Sequence, residues 1–405
     1  MKTSHAHLVD NPPFPKNYAS RMLVVDHGEG SAVFDEAGNR YLDFGAGISV
    51  NALGYGRADL AEAMAEQARR MIHTSNLYAH RPGLELARRL LESVPFPEAK
   101  AMAAVHFGNS GTEATEAALK YARLYAYETR GEGHHKVLSF SGGFHGRTIG
   151  ALSVTPKPKY KIKFEPLVPG MHTTPYNDVE ALEKTLTPEF AAVIVEVVQG
   201  EGGLSVMTSE FADALVELAA KHDVLIIADE VQTGLGRTGS LYAAEWAGLH
   251  ADIVTLAKPL AAGLPLSATL IPERVNDLLH VGDHGTTFGG GPVTTAVALK
   301  VLDILADDAF LADVRRKGEH LRTRLAELSD QVPQAGAILG HGLLTGIEIG
   351  AADDATTVGE AMYRCQENGL LVLRSGVNVL RLAPPLVITE EEIDEAISII
   401  RRSLS

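Results

Sequence analysis

A single cysteine, no long apolar run and a shortage of positive charge are the first features of this 405-residue chain. Cys365 has no second cysteine to join, so an internal disulfide and a thiolate metal cluster are both excluded. No stretch approaches the roughly 20 apolar residues that span a membrane. The opening segment, MKTSHAHLVDNPPFPKNYAS, lacks the apolar run of a signal peptide, so a cytoplasmic location is expected. Lys and Arg number 36 against 51 Asp and Glu, a net charge of −15. Such a surface repels phosphate backbones, which excludes nucleic acid as a natural partner. Internal repeats and low-complexity tracts are absent too.

What is present is the composition of a globular protein, 45% hydrophobic with 39 glycines, at a length that suits two domains. Residues 84–94 place Leu84, Ala87, Leu91 and Val94 on one helical face, and 210–221 do the same with Phe211, Leu215 and Leu218. Between such helices lie short apolar runs at 103–107, 136–140, 191–198, 224–228 and 252–256, the pattern of parallel strands buried on both faces. After about residue 296 the pattern changes. A long helix carrying Phe310, Val314, Leu321, Leu325 and Leu328 leads to Pro333 and a Gly-rich turn, then strands at 343–349, 370–375 and 379–384. A last helix aligns Ile393, Ile397, Ile400 and Leu404. The expected class is α/β: a large domain (56–295) with a mainly parallel sheet, and a smaller α+β domain (296–405). The N-terminal segment (1–55), with strand-like pieces near Phe34 and Tyr41, is expected to pack on the smaller domain or on a partner subunit.

In an open parallel sheet, ligands bind beyond the carboxyl ends of the strands, so the polar residues that follow each apolar run carry the functional information. After Phe107, Gly108 to Thr112 turn the chain into a helix. Ser110, Gly111 and Thr112 there offer hydroxyls, close backbone approach and free amides, which suit a phosphate, although a plain helix cap needs the same residues. SFSGGFHGRT (139–148) sets Phe144, His145 and Arg147 at another strand end, where an aromatic can stack on a flat ring and an arginine can clamp a carboxylate. A core Phe and a surface Arg account for them equally, and His145 has no companion at metal-ligand spacing. Asp229 follows four apolar residues. A carboxylate at that depth needs a partner, and a protonated heteroaromatic nitrogen about 4 Å away would gain it roughly 4 kcal/mol, near three pKa units. Lys258 ends another apolar run, where desolvation lowers an amine's pKa as imine formation requires. Gly234, Gly236 and Gly239 spell a dinucleotide fingerprint, but it starts too far from the strand end to act as one. Phosphate cradle, stacking aromatic, acid for a ring nitrogen and imine lysine together make the set that pyridoxal phosphate asks for.

The motifs FGNSGTEATEAALK, FHGRT, VEVVQGEGG, ADEVQTGLGRTG, LAKPLAAGLP, HGTTFGG and LRLAPPLVIT resemble those of the class III pyridoxal-phosphate aminotransferases, in the acetylornithine and ornithine branch. The resemblance runs from about residue 20 to the C-terminus. It implies a fold-type I transferase that works as a homodimer with active sites at the interface. Carried over, Ser110, Gly111 and Thr112 hold the phosphate, Phe144 and His145 contact the cofactor, and Asp229 pairs the ring nitrogen. Val231 and Gln232 line the other face and the ring hydroxyl. Lys258 attaches the cofactor and moves the proton, and Thr286 and Thr287 reach the phosphate in the neighbouring subunit. Arg147 binds a substrate carboxylate. Arg381 pairs with Glu201 while a terminal amine reacts, and is released when glutamate or 2-oxoglutarate enters. Gly47 stands where ornithine aminotransferases carry a tyrosine, which favours a blocked α-nitrogen, as in N-acetylornithine; Val197 and Gly291 are further departures in loop positions. Related readings on the same scaffold are ornithine, succinylornithine or 4-aminobutyrate transamination, and a lysine-pathway enzyme whose substrate rides on an acidic carrier. The net charge disfavours that carrier unless a local basic patch intervenes. A non-catalytic cofactor-binding regulator should have lost Asp229 or Lys258, and both are present.

Overall fold

The structure, a computed structural model, describes residues 14–17, 23–97 and 100–404, so part of the N-terminal segment lies outside the described residues. Near the N-terminus β1 (Val25–Glu29), β2 (Ala32–Asp35) and β3 (Arg40–Asp43) form an antiparallel meander. A seven-stranded sheet follows, built from β4 (Met102–Gly108), β5 (Lys136–Phe140), β6 (Met171–Thr174), β7 (Phe190–Val195), β8 (Leu225–Asp229), β9 (Ile253–Leu256) and β10 (Ser267–Pro272). Their spatial order is β4-β10-β9-β8-β7-β5-β6. All pairings from β6 to β9 are parallel, while β10 runs antiparallel to both its neighbours. The sheet is therefore mainly parallel with one reversed strand. Every residue of β7, β8 and β9 is buried, which is why these stretches read as unbroken apolar runs.

The last part of the chain contributes β11 (Ala335–His341), β12 (Leu344–Ile349), β13 (Leu370–Leu371), β14 (Leu373–Ser375) and β15 (Val379–Leu382). β11, β12, β15 and β14 make an antiparallel sheet, whereas β13 joins β3 in parallel and extends the N-terminal meander to four strands. Two further backbone bonds fasten this region to the N-terminal segment, Ala383 N–H to Phe44 O at 2.7 Å and Leu386 N–H to Ala52 O at 2.7 Å. The helix Asp308–Gln331 packs on β11 and β12, and Glu390–Leu404 packs against it and against the helix Ala355–Glu367, burying Ile393, Ile397, Ile400 and Leu404 as its spacing predicts.

Several expectations need correction. β6 and β10 were not anticipated, because His172, Thr173, Ser267 and Thr269 interrupt their apolar character. The expected Gly-rich turn after Pro333 is the strand β11, antiparallel to β12, with Gly340 in the ladder and Gly336 at a break in its register. The run 370–375 is not one strand; Val372 marks the point where it passes from one sheet to another. The helix Arg81–Glu92 buries Leu86 and Leu90 rather than Leu84, which is 62% exposed. Both leucine sets have helical spacing, and packing against the helix Pro292–Leu305 selects between them. On this basis Leu90→Ala is expected to cost about 2–5 kcal/mol by leaving a cavity. Leu84→Ala is expected to cost about 0.5 kcal/mol or less. Urea unfolding of the two variants checks this, and equal losses would reassign the face.

Candidate active site

Asp229, the last residue of β8, is 4% exposed and fully engaged. Its Oδ2 accepts from His145 Nδ1 at 2.8 Å, and its Oδ1 accepts from Val231 N–H at 3.1 Å and Thr255 Oγ1 at 3.3 Å. His145 lies in the loop after β5 and is itself buried, its backbone held by Thr155 and Thr115. Next to it, Phe144 N–H donates to Glu196 Oε2 at 2.8 Å, and Glu196 directly follows β7. Lys258 comes two residues after β9 with φ of 35°, a left-handed backbone that a lysine adopts only under constraint. The helix Gly111–Arg130 presents its N-terminus to the same space. These residues, with Thr112, Arg147, Val231 and Gln232, line a cavity of about 260 Å³. A Cβ on Gly111 would lie 2.6 Å from Val231 Cγ1, so the first helical turn approaches that wall only because the residue is glycine.

Electrostatics follow from burial. Desolvation lowers the Lys258 pKa to about 8, with Asp229 opposing the shift and Arg381 adding to it. Desolvation raises the Glu196 carboxyl to about 7, partly offset by His145. Burial alone would lower His145, but the hydrogen bond and charge of Asp229 outweigh it and the net shift is upward. The cavity thus holds an amine and a carboxyl that both titrate near neutrality, beside a carboxylate fixed at its floor. Imine chemistry and proton transfer both use such groups.

Nine of the residues singled out in the sequence meet in this cavity: Gly111, Thr112, Phe144, His145, Arg147, Asp229, Val231, Gln232 and Lys258. Ser110, Glu201, Arg381, Thr286 and Thr287 are not on its walls. The Ser110 hydroxyl donates to Glu113 at 2.8 Å. Arg381 donates to Glu201 at 2.6 Å and to Gly200 O at 2.6 Å, so the expected ion pair is formed. Thr286 closes its own loop by accepting from Gly289 N–H, and Thr287 is exposed. Arg147 is exposed and lies over the Tyr160 ring, 3.6 Å from its centroid.

Sequence reasoning missed Glu196, Tyr160 and Ser49. Glu196 carries the same signal as Asp229, an acid closing an apolar run, but Val197 and Val198 continue the run past it and hide it. Ser49 accepts from Gln232 Nε2 at 3.1 Å and ends a turn in which Ala46, Gly47, Ile48 and Ser49 all have positive φ. Nothing local in the sequence announces that turn. Tyr160, in a lysine-rich stretch, gave no cue to its arginine partner.

Residues 14–404 match the class-III aminotransferase family. The chain is 42% identical to the acetylornithine aminotransferase of Archaeoglobus fulgidus over 384 residues, 95% of this chain and 96% of that one. It is also 42% identical to that of Caldanaerobacter subterraneus, over 95% of each. Among solved structures, the ornithine aminotransferase of Toxoplasma gondii superposes with a TM-score of 0.91 at 36% identity, covering 98% of this chain and 94% of that one. The N-acetylornithine aminotransferase of Stenotrophomonas maltophilia gives 0.82 at 33%, covering 95% and 96%. The chain belongs to the class-III aminotransferases, a family that works with pyridoxal phosphate.

Proposed function

We propose that this enzyme moves the terminal amino group of N-acetylornithine, or a close ω-amino acid, to 2-oxoglutarate, giving a semialdehyde and glutamate. The observation that carries the reading is the convergence of Asp229 and the neutral-leaning Lys258 amine in one cavity beside the Arg381–Glu201 pair. The names of its 42% identical relatives point to the same donor.

The residues present fit pyridoxal phosphate: a buried carboxylate for the ring nitrogen, a desolvated amine for the aldehyde, and a helix N-terminus for the phosphate. When bound, that group supplies an electron sink for negative charge at the substrate carbon. Asp229 would face its nitrogen, with His145 holding the carboxylate in place. Phe144 and Val231 would flank the ring, Gln232 would meet its hydroxyl, and Ser110, Gly111 and Thr112 would receive the phosphate. Lys258 is then the amine that takes a proton from the substrate carbon and returns it.

Arg147 receives a substrate carboxylate. Arg381 serves the second substrate: while paired with Glu201 it leaves the site neutral toward an amine-bearing chain, and once freed it binds the carboxylate of glutamate or 2-oxoglutarate. Its Nε is buried without a hydrogen-bond partner among the described residues, a donor in reserve for that carboxylate. Thr286 and Thr287 act across a homodimer interface. In support of that interface, Ile72, Leu77, Tyr78 and Phe288 are 68–86% exposed, and Asn76 ties their two segments together through Thr286 O and Gly289 O. The same reading divides the chain at 55 and 295, with the helix Pro292–Leu305 as the joint, and places the enzyme in the cytoplasm.

The visible band of the purified enzyme should be bleached by N-acetylornithine at lower concentration than by ornithine or 4-aminobutyrate, and restored by 2-oxoglutarate. Lys258→Ala should bind the cofactor yet lose turnover; appreciable steady-state activity in it sinks the assignment. Glu201→Ala is expected to slow the donor half-reaction relative to the 2-oxoglutarate half-reaction, because Arg381 then stays unpaired. An unchanged ratio in stopped-flow traces removes the switch. Burial favours the neutral Lys258 amine, so in cofactor-free protein its acylation by an amine reagent should be half-maximal near pH 8 rather than near 10.5. Peptide mass analysis reads this, and a rate still climbing at pH 10 contradicts it.

A further inference from the structure

The loop that carries Thr286 and Thr287 is fastened at its near end by groups that the reaction does not use. His284 opens the HGTTFGG segment, and its ring stacks on that of His106 in β4, with centroids 4.7 Å apart and planes 26° from parallel. The Tyr121 ring stands edge-on to both histidines, 5.8 Å from each. Lys120 Nζ donates to His284 Nδ1 at 2.9 Å and to Asp283 O at 2.9 Å. The far end is held by other means. Asn76 donates to Thr286 O and Gly289 O, and His80 Nε2 donates to Gly290 O at 2.9 Å. Gly289 lies so close to β4 that a Cβ there would collide with Phe107 O.

The Lys120 bond fixes the state of His284. An ammonium can only donate, so Nδ1 must be an unprotonated acceptor and the imidazole neutral. The surroundings favour that form: burial and Lys120 lower the His284 pKa, with Glu116 opposing. Burial pushes His106 down to about 4, with His284 and Lys120 adding to the shift and Glu113 opposing it. The other groups around the pair are Tyr121, which burial raises to about 12, and Asp283, whose carboxylate accepts from the His280 amide. β10 sets the uncharged Thr269 opposite His106. Protonating His284 would turn an N–H toward the ammonium and break the anchor. In a freed loop a histidine titrates near 6.5, so the anchor is complete above about pH 6.5 and weakens as pH falls below it.

We propose that His284, clamped by His106, Tyr121 and Lys120, is a positioning residue for the cofactor phosphate of the neighbouring subunit, because it sets where Thr286 and Thr287 stand. This rests on the reading that the two threonines act across a homodimer interface. Gly285 alone separates His284 from Thr286 and has no side chain to hold the backbone there. The ring stack is therefore the near-side anchor of both hydroxyls, and it acts on the phosphate without touching the reacting carbon.

The test titrates the full-length chain, stripped of cofactor, with pyridoxal phosphate and with pyridoxal, which lacks the phosphate, and follows the visible band. His284→Ala is expected to bind pyridoxal phosphate about fivefold or more weakly, the scale of one anchoring hydrogen bond and its stack, while binding pyridoxal within about twofold of wild type. His284→Asn keeps an oxygen that can accept from Lys120 but cannot titrate. It should hold pyridoxal phosphate within about twofold of wild type at about pH 7.5. Between about pH 7.5 and about pH 5, wild type should lose roughly threefold more affinity than this variant. Equal weakening of both ligands by His284→Ala, or an acid loss unchanged in His284→Asn, overturns the positioning role. Thr286→Ala/Thr287→Ala separates this inference from the reading beneath it. If that variant weakens pyridoxal phosphate and His284→Ala does not, the positioning role alone falls. If it binds pyridoxal phosphate like wild type, the action of the threonines across the interface falls as well.

Discussion

The site depends on one costly group, the carboxylate of Asp229 buried at the end of β8. A carboxylate at 4% exposure is tolerable only if its oxygens are occupied, and three donors from three segments meet there: the His145 ring, the Val231 amide and the Thr255 hydroxyl. Each donor fixes a piece of the site. His145 brings the loop of Phe144 and Arg147, Val231 brings the cavity wall, and Thr255 keeps β9, and with it Lys258, in register beside β8. Removing the charge would loosen all three at once, so its role is architectural as well as electronic.

A second carboxyl, Glu196, joins the two halves of the site. Its two oxygens accept from Phe144 N–H at 2.8 Å and Gly200 N–H at 3.3 Å, and Gly200 O in turn accepts from Arg381 and Ser375. The loop beside the cofactor space and the C-terminal sheet that carries Arg381 therefore hang on one short segment after β7. Gly200 allows this packing because a Cβ there would fall 1.8 Å from Gln232 Oε1. A shift of Arg381 away from Glu201 thus pulls on the backbone that also orients Phe144.

Where a strand is made almost wholly of apolar residues, the sequence was legible. β5, β7, β8 and β9 follow from their apolar runs, and Asp229 and Lys258 follow from standing just past two of them. Legibility failed where tertiary contacts decide. β10 mixes Ser, Thr and Pro because its neighbours supply the burial, and β11 is Gly-rich because it packs close to β12. In the helix Arg81–Glu92, two leucine sets satisfy the same periodicity and only the partner helix distinguishes them. The pairing of Glu201 with Arg381, 180 residues apart, follows from the family resemblance and from no local pattern, and no pattern marks the Arg147–Tyr160 stack.

The left-handed residues mark where the fold gives up local stability. Lys258 and the run from Ala46 to Ser49 together impose strain of about 1–2 kcal/mol per non-glycine residue. The first run is braced by Asp43, whose Oδ1 accepts from Gly45 and Ala46 amides and whose Oδ2 accepts from Tyr55 at 2.5 Å. It delivers Ser49 to Gln232. Lys258 is followed by Pro259, whose ring disfavours helical backbone in the residue before it, so the lysine is excluded from its commonest conformation on both counts. Strain of that kind persists only where surrounding structure over-determines it. Here the fully buried β9 on one side and buried Pro259, Leu260 and Ala261 on the other do so. The consequence is positional: with its backbone held from both ends, Lys258 reaches the cavity by side-chain torsions alone. An amine that must release one partner and take up a proton from another gains from exactly that restriction, because neither step then requires the chain to move.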